Sequence, residues 1–277
     1  MAAGKPPKQR LDLLIVQRQL SLDPSGPLSR QQAQRLIQAG QVSVNQEIID
    51  KPSTLISPQA EIEIKQRPPY VSRGGEKLAG ALKKFPIAVA GRICLDAGIS
   101  TGGFSDCLFQ AGASRIYGID VGYGQVDWGL RQNPHLILKE RTNIRYLIPS
   151  DLYKPDDPRP DLAVADVSFI SLTKILPALV NLLIAPKELL LLVKPQFEVG
   201  RELVGKNGVV KDAKAQAQAI QKVLEAAEHL GWLPQGLTPS PLLGPAGNRE
   251  FFLWLNTYAP QHPLTLAQIQ EICHQNS

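Results

Sequence analysis

The chain has 277 residues, enough for one large domain or a large domain with a small companion. With 43% hydrophobic residues it can bury a full core, which excludes wholesale disorder. The net charge of +5 is uneven: residues 1–94 hold 14 Lys/Arg against 7 Asp/Glu, and residues 95–277 hold 16 against 18. A positive excess confined to the first third fits a phosphate-rich partner, and on charge alone it fits an ordinary solvated surface equally well.

The start, MAAGKPPKQR, has no apolar segment of the signal-peptide kind. The longest apolar runs, near Ile175–Ala185 and Leu189–Val193, are broken by Pro and Lys and are too short to span a bilayer. A cytoplasmic protein without membrane contact is therefore expected. Cys94, Cys107 and Cys273 have neither metal-ligand spacing nor an even count, so inert thiols and no metal are expected.

Residues 1–7 are Gly/Pro-rich and read as a mobile lead-in. The apolar positions of Arg10–Leu20 suit a short helix, and LDPSGP reads as a turn-rich insertion. Ser29 can cap a second helix with Gln32 as its capping-box partner, and that helix stops at Gly40. VSVN, an Asn45–Gln46 turn, EII and EIEIK then read as short strands. In QRPPYVSRGGEKL, Pro68 and Pro69 stiffen a connection, and Gly74–Gly75 precede a helix around Lys77–Lys84. This gives a small α+β domain over 1–66, a linker over 67–76 and a large domain over 77–277.

From Arg92 onward strands alternate with helices. RICLDA, RIYGIDV, HLILKE, DLAVADV, ELLLLVK, a segment near Leu233–Thr238 and EFFLWLN are the strands. Helical patterns cover 104–112, 126–132, 171–184 and 213–230. Apolar strands separated by helices imply a parallel sheet covered on both faces, an α/β Rossmann-like domain. The last two strands lack an intervening helix, which suggests an antiparallel edge pair. The tail PQHPLTLAQIQEICHQNS can close with a short helix.

Asp96 ends the first strand of the large domain, and DAGISTGG follows before a helix near Phe104. Gly98, Gly102 and Gly103 allow a tight turn and close approach to a ligand at the carboxyl ends of the strands. Asp120, ending the second strand, could accept hydrogen bonds from both ribose hydroxyls of a nucleoside cofactor. The spacing is G-x-x-x-G-G, with Ser100 and Thr101 in the loop, and not the dinucleotide fingerprint. A cofactor without a pyrophosphate, such as S-adenosylmethionine, fits it. The alternative is a structural turn whose glycines serve packing. Phe104, Val121, Asn143 and Asp166 complete the expected cofactor set.

Asp166 falls at the end of the fourth strand, Lys194 at the end of the fifth, Glu250 at the start of a late strand and Lys77 on the helix before the first. Singly, each could be a solvated strand end or surface charge. Two lysines and two carboxylates in one cleft would suit deprotonation of a ribose 2′-hydroxyl, by a lysine that accepts its proton or one that stabilises the alkoxide.

DAGISTGGFSDCL, GIDVGYGQ, DVSFISL, LVKPQFEVG, GVVKD and NREFFLWL together resemble the TlyA family of ribosomal RNA ribose 2′-O-methyltransferases, some of which carry the name haemolysin. The resemblance covers about residues 8–256. It implies an FtsJ/RrmJ-type catalytic domain whose Lys-Asp-Lys-Glu tetrad is Lys77, Asp166, Lys194 and Glu250. It further implies a seven-stranded methyltransferase fold, S-adenosylmethionine as cofactor, and ribosomal RNA, on a cytidine, as substrate. LDPSGP departs from the family pattern, which leaves RNA docking open and not the chemistry. KQRLDLLIVQRQL with LSRQQAQRLIQAGQVSVNQEIIDKP resembles the RNA-binding module of ribosomal protein S-four. That resemblance makes Lys8, Arg10, Arg30, Arg35 and Lys51 phosphate contacts, with Gln34 and Gln38 on the same helix and Arg73 in the linker. The protein is expected to meet ribosomal RNA or ribosomal subunits as a monomer or weak oligomer. A membrane-lytic protein and an RNA-binding assembly factor are the alternatives. The absence of a signal peptide or span argues against the first, and the complete tetrad against the second.

Overall fold

The computed structural model describes residues 6–20, 27–38, 40–64, 69–260 and 262–275. Residues 1–5, most of the LDPSGP insertion and the first two linker residues lie outside these. The chain divides into two units at Pro68/Pro69.

In the first unit β1 (Gln9–Arg10) leads into α1 (Leu11–Gln17), followed by α2 (Arg30–Gln38). Then come β2 (Val42–Val44), β3 (Glu47–Ile48), β4 (Leu55–Ile56) and β5 (Ile62–Ile64). The expected capping box is present: the Ser29 amide donates to Gln32 Oε1 at 2.8 Å, and the Gln32 amide donates to Ser29 Oγ at 3.3 Å. Asn45 and Gln46 both take positive φ, +49° and +72°, the geometry of a two-residue hairpin turn between β2 and β3. β2 pairs antiparallel with β3 and β5, and β1 with β4. Leu11, Leu14 and Ile15 of α1 meet Ala33 and Ile37 of α2 in a core with Val42 and Ile56.

The second unit starts with α3 (Arg73–Lys84), β6 (Ile93–Ala97), α4 (Gly103–Gln110), β7 (Arg115–Ile119), α5 (Trp128–Arg131) and β8 (Leu136–Lys139). It continues with α6 (Pro149–Leu152), β9 (Leu162–Ala165), α7 (Leu176–Leu182), β10 (Glu188–Val193) and α8 (Pro195–Glu198). It ends with α9 (Ala213–Glu228), β11 (Leu233–Pro239), β12 (Phe251–Asn256) and α10 (Leu266–His274). The seven strands form one sheet in the order β11-β12-β10-β9-β6-β7-β8. β6 to β10 pair in parallel, while β12 runs antiparallel to both β10 and β11. β12 therefore slots inside β11 and is not an outer strand. The register alternates: Leu189, Leu191 and Val193 join the core under α7, α9 and α10, and Leu190 and Leu192 join the one under α3 and α4.

Among the differences from the sequence pattern are two helix starts. α3 begins at Arg73, so Gly74 and Gly75 lie inside it. A Cβ on Gly75 would stand 2.3 Å from the Tyr70 side chain and 2.9 Å from the Gly103 carbonyl, so glycine here serves the close packing of α3 on α4. The expected helix over 171–184 is a 3-10 turn, Leu172–Lys174, followed by α7, with Pro177 in the first turn.

Leu191 is wholly buried at the centre of the sheet. Leu191→Ala is expected to cost about 2–5 kcal/mol, read as a lower urea midpoint with the same cofactor stoichiometry.

Candidate active site

The strand order reverses between β6 and β9, where a parallel sheet leaves a crevice at its carboxyl ends. Gly98 turns there with φ +88°, and a Cβ on it would stand 2.6 Å from the Asp166 carbonyl. Any side chain would push the β6 turn off the end of β9. Asp120, just past β7, fastens this turn: its Oδ2 accepts from the Ser100 amide at 2.8 Å and its Oδ1 from the Gly122 amide at 2.7 Å.

Two adjoining clefts open at this point. One, of about 600 Å³, is walled by Asp120, Val121, Asn143, Val167 and Phe169. The other, of about 430 Å³, is walled by Arg73, Lys77, Thr101, Gly103, Phe104 and Pro245. Gly98, Ser100 and Asp166 line both. Among the expected cofactor residues, Val121 is exposed, and Asn143 accepts from the Arg145 amide at 3.2 Å. Asp96 and Gly102 do not line either cleft. Gly102 caps α4 in the left-handed region, and Asp96 lies beneath the turn, wholly buried. Phe104 is almost wholly buried, with its ring 6.0 Å from that of Phe252.

The four charged residues meet as two pairs. Lys77 Nζ lies 2.6 Å from Glu250 Oε2, with the side chains 8% and 1% exposed. Lys194 Nζ lies 2.6 Å from Asp166 Oδ1 and donates to Ser168 Oγ at 2.8 Å. Each cleft-lining member, Lys77 and Asp166, is backed by a partner of opposite charge. Glu250 immediately precedes β12 and Lys194 immediately follows β10, so the antiparallel β10–β12 pairing, Val193 opposite Phe251, brings them to one end of the sheet.

Sequence reasoning did not single out Ser168 or Phe169. Phe169 is 93% exposed with φ +65°, its ring 5.3 Å from that of Phe197. An exposed aromatic residue in the left-handed region is strained and points to function. Its residue type in DVSFISL carries no signal of that conformation.

The expected RNA contacts do not all stand in the same way. Lys8, Arg35 and Lys51 are exposed in the first unit. Arg10 and Arg30 of that unit converge on Asp12, which is wholly buried. Arg73 belongs to α3 of the second unit, where its Nη2 donates to the Leu243 carbonyl at 2.9 Å.

A seven-stranded sheet with one antiparallel strand inserted, a glycine turn at its switch point and paired lysines and carboxylates beside it define a Rossmann-like methyltransferase. Residues 70–257 match the FtsJ-like methyltransferase family and residues 24–62 match the S4 domain. The chain belongs to the FtsJ-like methyltransferase family and carries an S4 domain ahead of the catalytic one. It is 46% identical over 252 residues to the 16S/23S rRNA (cytidine-2′-O)-methyltransferase TlyA of Mycobacterium tuberculosis, covering 90% of each chain. It is 38% identical over 225 residues to Hemolysin A of Brachyspira hyodysenteriae, covering 80% of this chain and 92% of that one. A solved structure of a hemolysin-named protein from Streptococcus thermophilus superposes with a TM-score of 0.71 at 40% identity, covering 97% of this chain and 95% of the other. Among the described residues no helix is long and apolar enough to cross a membrane.

The larger cleft fits S-adenosylmethionine. Its volume of about 600 Å³ suits a ligand of that size. Beneath the glycine turn, Asp96 Oδ1 is buried with no partner within hydrogen-bonding geometry among the described residues. Asp120 and Asp166 add carboxylates that suit ribose hydroxyls and a cationic group. Burial pushes the Asp96 carboxyl up to about 7, against the opposing hydrogen bond donated by Ser105 Oγ at 2.7 Å, and nearby Asp166 and Asp120 push the same way.

A carboxyl raised in the folded state holds a proton there that the unfolded chain has lost. Its ionisation therefore removes stability as pH rises from the ordinary carboxylate range through about 7. Asp96→Asn lacks this penalty. The variant is expected to gain in urea midpoint on the unmodified protein between about pH 5.5 and pH 8. A difference that stays flat over that range would show that Asp96 ionises like an ordinary carboxyl.

Proposed function

We propose that this protein transfers the methyl group of S-adenosylmethionine to a ribose 2′-hydroxyl of ribosomal RNA, on a cytidine. The observation that carries this reading is the pair of lysine–carboxylate contacts, Lys77–Glu250 and Lys194–Asp166, at the clefts that share Gly98 and Asp166. The names of its relatives support the RNA and the position.

The cofactor supplies an electrophilic methyl group on a sulfonium, and it leaves as a neutral thioether. Asp120 and Asn143 would hold its nucleoside end, with Gly98 and Ser100 of the glycine turn lining the same cleft. The smaller cleft takes the target ribose between Lys77 and Asp166. The 2′-oxygen would bond to the methyl carbon as the carbon–sulfur bond breaks, and its proton would pass to the Asp166 carboxylate, the proton-accepting member of its pair with the Lys194 ammonium. Lys77 offers positive charge to that oxygen. Glu250 holds the Lys77 ammonium in place, and Ser168 does the same for Lys194. This is in-line positioning with proton removal and calls for no metal. The S4 domain supplies the phosphate contacts Lys8, Arg10, Arg30, Arg35 and Lys51, and Arg73 adds one from the catalytic domain. The protein works in the cytoplasm on ribosomal RNA or ribosomal subunits, as a monomer or weak oligomer.

The test is transfer of labelled methyl from S-adenosylmethionine to purified ribosomal RNA and subunits, with the product mapped as a 2′-O-methyl nucleoside. Lys194→Ala is expected to lower kcat by about 100-fold or more. Its affinity for S-adenosylhomocysteine should stay near that of the unmodified protein. Full transfer by Lys194→Ala would remove it from the chemistry, and methyl found on a base nitrogen or carbon would overturn the ribose assignment.

A further inference from the structure

Asp12 is the second residue of α1 and its side chain is wholly buried, an unusual place for a carboxylate on the surface-seeking first turn of a helix. Five hydrogen bonds converge on it. Arg10 donates from Nε to Oδ1 and from Nη2 to Oδ2, each at 3.0 Å. Arg30 Nε donates to Oδ2 at 3.1 Å, Gln34 Nε2 to the same oxygen at 2.7 Å, and the Leu13 amide to Oδ1 at 3.0 Å. Arg10 comes from β1, while Arg30 and Gln34 sit one turn apart on α2. These donors, Arg10 foremost, hold the Asp12 carboxyl well below the usual carboxylate range despite its burial.

One carboxylate thus binds two guanidinium groups, and the cluster keeps a surplus positive charge. The arginines are not spent on it. Their side chains are 39% and 54% exposed. Nη1 of Arg10 and both Nη atoms of Arg30 have no acceptor among the described residues. Two planar forks are therefore locked at their inner edges and open at their outer ones. A guanidinium fork matches a phosphate geometrically, and a fork already held loses less freedom when it binds.

We infer that Asp12 is a positioning residue that fastens Arg10 and Arg30 into a rigid two-pronged clamp for an RNA phosphodiester. The clamp rests on the ribosomal RNA reading above. Its distinguishing consequence is the sign of one substitution. Asp12→Asn adds a positive charge beside the RNA surface. If the cluster acts only through its net charge, that change tightens RNA binding. If Asp12 acts by holding the arginines, the same change weakens it.

The experiment measures binding of the full-length protein to purified small- and large-subunit ribosomal RNA by filter retention across a salt series. Thermal unfolding and S-adenosylhomocysteine affinity are measured in parallel. Asp12→Asn is expected to raise the Kd for RNA roughly tenfold with cofactor affinity unmoved. In an Arg10→Ala/Arg30→Ala background the same substitution should add nothing, because its effect runs through those two side chains; a merely structural Asp12 would still weaken binding there. Arg30→Lys keeps the charge and leaves Asp12 held by Arg10 and Gln34, so it decides the matter if Asp12→Asn does not fold. It should weaken binding at unchanged thermal stability. Unchanged or tighter binding by a folded Asp12→Asn protein, or unchanged binding by Arg30→Lys, overturns the clamp while leaving the methyltransferase reading intact. An unmodified protein that neither binds nor methylates ribosomal RNA overturns both.

Discussion

The ends of β6 and β9 approach so closely that residue 98 has no room for a side chain: a Cβ there would stand 2.6 Å from the Asp166 carbonyl. Much of the second unit depends on that approach. It sets the crevice at the strand switch point, brings the glycine turn against the strand that carries Asp166, and makes that residue a wall of both clefts. It also crowds three acidic side chains, Asp96, Asp120 and Asp166, around one turn. Each meets the crowding differently. Asp120 accepts two backbone amides, Asp166 takes an ion pair with Lys194, and Asp96 rises toward neutrality beneath the turn.

The two lysine–carboxylate pairs follow from the sheet and not from local structure. Lys77 and Glu250 are 173 residues apart, and a carboxylate and an ammonium this deeply buried persist only because each has the other. The antiparallel insertion of β12 beside β10 is what delivers Glu250 to the end of the sheet where Lys194 emerges. A parallel strand in that place would have set the residue preceding it at the opposite edge.

The first unit uses the same device to another end. Asp12 anchors Arg10 and Arg30 from two different elements. In both units a buried carboxylate fixes a cation carried by another element.

The alternation of apolar strands with helices, the capping box at Ser29 and Gln32, the Asn45–Gln46 turn and the glycine turn after Asp96 are all legible in the sequence, because each rests on local periodicity or on a residue's own backbone preference. Strand ends and resemblance together single out Lys77, Asp166, Lys194 and Glu250, but not their division into Lys77–Glu250 and Lys194–Asp166, since no spacing ties residue 77 to residue 250. Tertiary structure alone decided three matters. Gly74 and Gly75 lie inside α3 because that helix packs hard on α4. Phe169 stands exposed in the left-handed region with its ring 5.3 Å from that of Phe197. Asp12 is buried because donors from β1 and α2 reach it. Each of these is a long-range contact, and the residue type at the position is compatible with several conformations until its neighbours arrive.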